Sequence, residues 1–336
     1  MSTKGIPTRP RAIATTENGA LGQRLSRRLA VSSLGAAVVA TPLGGQFRQT
    51  ARAQEGTPSA QMPAEAIRGL VQFVHPEKVF FYLPGAEEEA LIAAFYGLDP
   101  NGYRAITEEY AAAARGAAEE LLADPALAEQ VDRLPFAAGS TVIGVGESDM
   151  DDLQSWVEIV RHLLDLQRPQ DEIVVINQGV SGRATSETLG SFAAILGQQP
   201  DWIICALGGN DAVRYGRQPT KTRVSIEETA LNLAELRHQA AAQSAANWVW
   251  VTRWIADEAR IAAYPPFQMA QFALRNADMA AVNDLVRDQA GIVVDLVPVI
   301  GEPPQPELLI EDGLHPSLAG HAAIAKALVE RLVGST

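Results

Sequence analysis

The chain has 336 residues, of which 47% are hydrophobic and 20% charged. That length and balance exclude a disordered polymer and allow a large α/β core with an additional segment. The formal net charge is −13, and without residues 1–53 the remaining 19 basic and 39 acidic residues leave −20; so acidic a body repels nucleic acid and anionic membrane surfaces but not small uncharged substrates.

Residues 1–53 hold eight of the 27 Lys and Arg and one acidic residue, Glu17. A polar stretch ending in Ser26-Arg27-Arg28 precedes an apolar run from Leu29 to Leu43. That run has signal-peptide length and is too short to span a bilayer. Ala51-Arg52-Ala53 supplies a small-x-small cleavage pattern, and the paired arginines suggest the twin-arginine route. The expectation is an exported protein without a stable transmembrane anchor. Residues 54–62 read as a linker. Residues 63–135 read as a helical accessory segment, with residues 108–122 rich in Ala, Glu and Leu behind Thr107 as N-cap. The segment carries no chemical motif, and its aromatic residues need a surface to bury against; it is expected to flank the active-site edge and shape access, or else to form a stabilising collar.

From residue 136 to 336 apolar runs alternate with amphipathic stretches. The runs lie at 141–145, 173–176, 202–207, 248–252 and 292–297; the stretches lie at 151–166, 185–197, 226–242, 266–289 and 316–333. Near-continuous apolar strands separated by helices mean a parallel sheet covered on both faces. Five such units fit a flavodoxin-like, doubly wound α/β fold, in which sites form beyond the C-terminal ends of the strands. The single cysteine, Cys205, sits inside the third run and reads as a small buried hydrophobe. It excludes an intrachain disulfide.

The segment just past each strand is therefore the place to look for chemistry. After the first comes Gly146-Glu147-Ser148, after the second Asn177-Gln178-Gly179, after the third Gly208-Gly209-Asn210-Asp211, and before the last helix Asp312-Gly313-Leu314-His315-Pro316. A serine hydroxyl is a weak nucleophile that needs a neighbouring base. Histidine takes its proton near neutral pH, and a carboxylate fixes the imidazole tautomer. An oxyanion in the intermediate needs preorganised donors, here the Ser148 and Gly179 N–H groups and the Asn210 amide. Asp149, Asp151 and Asp152 read as first-turn charges on the following helix, His321 as a helix residue, and His75 as a histidine without a motif.

The four blocks, in this order and spacing, resemble the SGNH/GDSL hydrolase superfamily over about residues 138–334. The resemblance implies Ser148 as nucleophile, His315 as base, Asp312 as its orienting carboxylate, and Ser148, Gly179 and Asn210 as the oxyanion hole, with no cofactor or metal. One departure stands out: the family's Gly-Asp-Ser is Gly146-Glu147-Ser148 here, one methylene longer at Glu147. The implied substrate is an ester, of a lipid or an O-acetylated carbohydrate. Acyl transfer to an alcohol and a non-catalytic binding module stay open as alternatives, and the sequence is silent on oligomeric state.

Overall fold

The computed structural model describes residues 62–335. The expected signal segment 1–53 and almost all of the linker lie outside the described residues. Seven strands are present among them: β1 (Thr141–Gly146), β2 (Val174–Asn177), β3 (Trp202–Ala206), β4 (Arg214–Tyr215), β5 (Asn247–Val251), β6 (Phe272–Ala273) and β7 (Ile292–Val294). Five of them form a parallel sheet in the order β2-β1-β3-β5-β7, the flavodoxin-like arrangement expected from the alternating pattern. Register pairs Gly146 with Ala206 and Cys205 with Trp250, which brings the ends of the central strands to one edge. β4, from the segment between β3 and β5, and β6, from the segment between β5 and β7, form a separate antiparallel pair.

Five helices precede the sheet: α1 (Ala64–Phe73), α2 (Pro76–Val79), α3 (Glu89–Phe95), α4 (Pro100–Leu122) and α5 (Pro125–Asp132). Between β1 and β3 run α6 (Ser148–Asp151), α7 (Trp156–Gln167) and α8 (Thr185–Leu196); then come α9 (Ile226–Gln243), α10 (Glu258–Ala263), α11 (Pro265–Ala270), α12 (Asn276–Arg287), α13 (Val297–Ile300) and α14 (Leu318–Val333). No helix among the described residues is long and apolar enough to cross a membrane.

The alternation of strand side chains sorts the helices into two layers. Val142, Ile204, Val249 and Val294 face α7 and α14, whereas Ile143, Val145, Cys205 and Trp250 face α8, α9 and α12. Cys205 is buried and unpaired, as its apolar setting predicts. Along α7 the buried positions Trp156, Ile159, Val160, Leu163 and Leu164 recur at three- and four-residue spacing. Full burial of each aliphatic side chain there contributes about 1.5–3 kcal/mol.

The helical segment splits into two roles. α4 and α5 pack outside α7 and α14, extending the same apolar cluster through Ala114, Ala118, Leu127 and Val131. α1 instead reaches the nucleophile turn, with Val71 and Val74 packed near Leu153. α4 starts at Pro100 rather than after Thr107: the Asp99 side chain caps it by accepting from the Gly102 N–H at 2.8 Å. Proline at the first helical position sacrifices no intrahelical bond, so Pro100 can open the helix.

Candidate active site

β1 delivers Glu147 in an extended conformation, and Ser148 opens α6, a single turn. The helix expected over residues 151–166 is thus divided. The chain leaves α6 after Asp151 and restarts at Trp156, where Ser155 caps α7 by accepting from the Glu158 N–H. No long helix begins at the serine, so its surroundings rest on individual N–H groups rather than on a macrodipole. His315 Nε2 lies 2.8 Å from Ser148 Oγ, and His315 Nδ1 lies 2.6 Å from Asp312 Oδ2. The other Asp312 oxygen accepts the Leu314 and His315 backbone N–H groups at 2.8 and 2.9 Å, which locks the turn carrying the histidine. With Nδ1–H donated to Asp312, Nε2 is left to accept from the serine hydroxyl.

The electrostatics follow from this row. Burial alone lowers the His315 pKa, but the adjoining Asp312 carboxylate overrides it and holds the group above its ordinary 6.5, with Asp149 and Asp152 adding to the effect. Burial pushes Asp312 up; its charge and hydrogen-bond contacts with His315 and the two backbone N–H bonds outweigh that and hold it below the usual carboxylate range.

Glu147 explains how the longer acid is accommodated. Its carboxylate is buried and accepts the Gly208 N–H at 2.7 Å and the Asn210 N–H at 3.1 Å, pinning the loop after β3 beside the serine. A Cβ on Gly209 would stand 2.7 Å from Glu147 Oε2 and 3.1 Å from Arg253 Nε, so glycine is needed there for the acid and the guanidinium to approach. Burial pushes Glu147 up to about 7, against the pull of Arg253 and with the push of Asp149 and Asp211. Arg253, also buried, binds Asp149 Oδ1 at 2.6 Å, and the second Asp149 oxygen accepts Trp156 Nε1–H at 3.1 Å. A buried Glu147–Arg253–Asp149 cluster therefore lies beneath the nucleophile turn.

The pinned loop presents Asn210 to a pocket shared with Ser148 and His315. Among the described residues, neither the Asn210 side-chain amide nor the Ser148 N–H has a partner within the protein. Gly179 differs from expectation: its N–H donates to Asn177 Oδ1 at 2.9 Å. A Cβ on Gly179 would fall 2.7 Å from the Asp151 nitrogen. Its glycine character serves the close packing of this loop on α6, and its N–H is already engaged. Three residues on, the Gly182 N–H has no partner among the described residues, while its carbonyl accepts from Arg223.

Several residues near the site carried no local signal. The Phe73 ring lies 5.2 Å from the His315 ring, centroid to centroid. His75 Nδ1 and Lys78 Nζ each lie 2.7 Å from Asp151 Oδ1, and Lys78 also donates to the Gly179 carbonyl at 3.1 Å. The other Asp151 oxygen accepts the Ser181 N–H at 2.7 Å. Gln72 donates to Asp152 at 2.9 Å, and buried His321 accepts the Trp156 N–H at 3.3 Å with its Nε2 3.4 Å from Asp152. Of the three aspartates read as first-turn charges, Asp149 and Asp151 stand in the first turn of α6, and all three are buried, each with its own partner. Arg253 was within reach of the strand-end criterion, since it stands two residues past β5.

Residues 139–323, more than half of the chain, match the model of the GDSL-like lipase/acylhydrolase family. Among solved structures, an α/β hydrolase from the metagenome of Lake Arreo, Spain, is 24% identical over 60% of this chain and 97% of its own, with a TM-score of 0.48. An acetylxylan esterase from Geobacillus stearothermophilus is 21% identical over 59% and 95%, at 0.46. A lipase/acylhydrolase from Enterococcus faecalis is 20% identical over 58% and 96%, at 0.46. No curated protein matches the chain. On the extent of the family match, the chain belongs to the GDSL-like lipase/acylhydrolase family and is a carboxylic ester hydrolase.

Proposed function

We propose that the chain hydrolyses esters through an acyl-enzyme on Ser148. The observation that carries this reading is the hydrogen-bonded row Ser148–His315–Asp312 facing a pocket. Ser148 Oγ attacks the ester carbonyl carbon as His315 Nε2 takes the hydroxyl proton. The carbonyl electrons move to oxygen, then return to expel the alkoxide, which leaves as the alcohol with the proton from His315. Water repeats the sequence on the acyl-enzyme and releases the acid. Asp312 keeps the imidazole oriented and stabilises its cation. The Ser148 N–H and the Asn210 amide receive the oxyanion. The test is stoichiometric labelling by a fluorophosphonate, mapped to the Ser148 peptide, alongside hydrolysis of p-nitrophenyl acetate; an unlabelled, inactive protein excludes the reading.

Asn210→Ala is expected to lower kcat by about 10²–10³, with KM changed far less, because a donor is lost only where charge develops. Steady-state kinetics on the purified variant decide it, and an unchanged kcat removes Asn210 from the oxyanion site. Attack requires neutral His315, so kcat/KM rises with pH as that group loses its proton. The limb is expected to lie above 6.5, the direction in which Asp312 shifts the group. A pH–rate profile with its acid limb at or below that value contradicts the assignment.

The reading includes export. The mature chain is expected to begin near Gln54, after Ala51-Arg52-Ala53. N-terminal sequencing of the protein from its native host checks this; retention of Met1 refutes it.

A further inference from the structure

The pocket beside Ser148 has walls that restrict what it can hold. Its apolar sides are Val213, Trp254, Leu274 and Met279, all buried, with Leu314 at the histidine side. The same space also receives the reacting carbonyl group, because Ser148 and Asn210 are among its lining residues.

The walls are held from behind. Trp254 Nε1 donates to the Leu314 carbonyl at 2.9 Å, and the Arg253 guanidinium covers its ring at 4.5 Å. Val213 precedes Arg214, Leu274 follows Ala273, and Met279 follows Asp278. Arg214 binds Asp278 in a bidentate pair at 2.6 and 2.8 Å, and Arg214 faces Ala273 in the β4–β6 ladder. Each of these three wall residues is therefore chain neighbour to a member of one latch. Val213, Leu274 and Met279 also belong to a closed apolar cluster with Ala256, Ile261 and Phe267. A longer acyl chain would have to displace packed side chains or break the ion pair, each costly in a close-packed interior.

We propose that this is the acyl pocket and that it restricts the enzyme to acetyl esters, with the alcohol portion lying outside toward solvent. The proposal rests on the acyl-enzyme reading above, which sets the carbonyl carbon at Ser148 and its oxygen at Asn210. The space between these apolar walls then receives the acyl methyl group, and Val213, Trp254, Leu274 and Met279 set the length limit.

The experiment is kcat/KM for p-nitrophenyl acetate, butyrate and octanoate, with fluorophosphonate labelling of Ser148 in the same preparations. Acetate is expected to exceed butyrate by about 10- to 200-fold, the discrimination available from apolar contacts at methylene scale. Leu274→Ala and Met279→Ala, which open the wall at two independent points, are each expected to shrink that ratio by about tenfold. Should either variant fail to fold, the wild-type profile decides alone. A profile flat or rising from acetate to octanoate, with Ser148 labelled, overturns the acetyl pocket and leaves the serine hydrolase intact. Absence of both labelling and hydrolysis overturns the two together.

Discussion

Ser148→Ala is expected to lower kcat for ester hydrolysis by about 10⁴- to 10⁶-fold while leaving the melting temperature close to that of the wild type. The serine hydroxyl has one side-chain partner, His315 Nε2 at 2.8 Å. His315 is only half-buried, so water can take the place of the lost hydroxyl and no polar atom is stranded. The backbone N–H of residue 148 remains in the variant, as do Asn210 and the Asp312–His315 pair. Residual catalysis from these groups keeps the loss finite. Kinetics on a contaminant-free sample and a thermal melt measure the two halves of the expectation. Activity within about tenfold of the wild type rules out the serine as nucleophile; a large drop in melting temperature shows that the residue holds the fold instead.

The largest effect on stability is expected at Arg253→Ala. This guanidinium is the cation that faces two buried carboxylates, Asp149 by direct contact and Glu147 by proximity. Removing one member of a buried charge cluster leaves the rest uncompensated, at a cost of about 3–5 kcal/mol. For a domain of this size that is a fall of roughly 10 °C in melting temperature. The pH dependence supplies a signature that lost packing alone does not. Without Arg253 both acids bind protons more readily in the folded state, because the pull lowering their pKa values is gone. Folded-state proton uptake favours the variant as pH falls, so its deficit relative to the wild type should narrow between about pH 8 and pH 5. Melting curves at several pH values test this. A deficit that stays constant with pH assigns the residue to packing.

The sheet was legible in the sequence because its central strands are buried on both faces and each strand is written as an apolar run. The runs at 202–207 and 248–252 meet β3 and β5 within a residue or two. The last run, 292–297, stops as a strand at Val294, because Pro298 lies in the first turn of α13 and bends the chain away. β4 and β6 left no trace, since two residues per strand are too few for any periodicity to show. Within the site, Ser148, Asn210, Asp312 and His315 stood at strand ends or beside a helix start, and their order was readable. Gly179 and Gly182 share one loop; which N–H is free depends on where the Asn177 side chain turns, a fact of three dimensions. The same holds for His75 and Asp151, paired across 76 positions, and for Arg253 and Asp149, paired across 104. Partnerships so distant along the chain have no local pattern.

The family match begins at residue 139, yet the turn carrying Ser148 leans on residues 72–78. Cutting the chain at the start of that match would strip Asp151 of Lys78 and His75, the two partners that hold this buried carboxylate well below its ordinary pKa. An anion sealed from water with no counter-charge must either take up a proton or open the structure around it. α1, α2 and the α6 turn consequently belong to one cooperative unit, although sequence comparison draws a border between them. Their backbone amides should exchange with deuterium at a common opening free energy, and the smallest fragment that folds with an ordered nucleophile begins before α1.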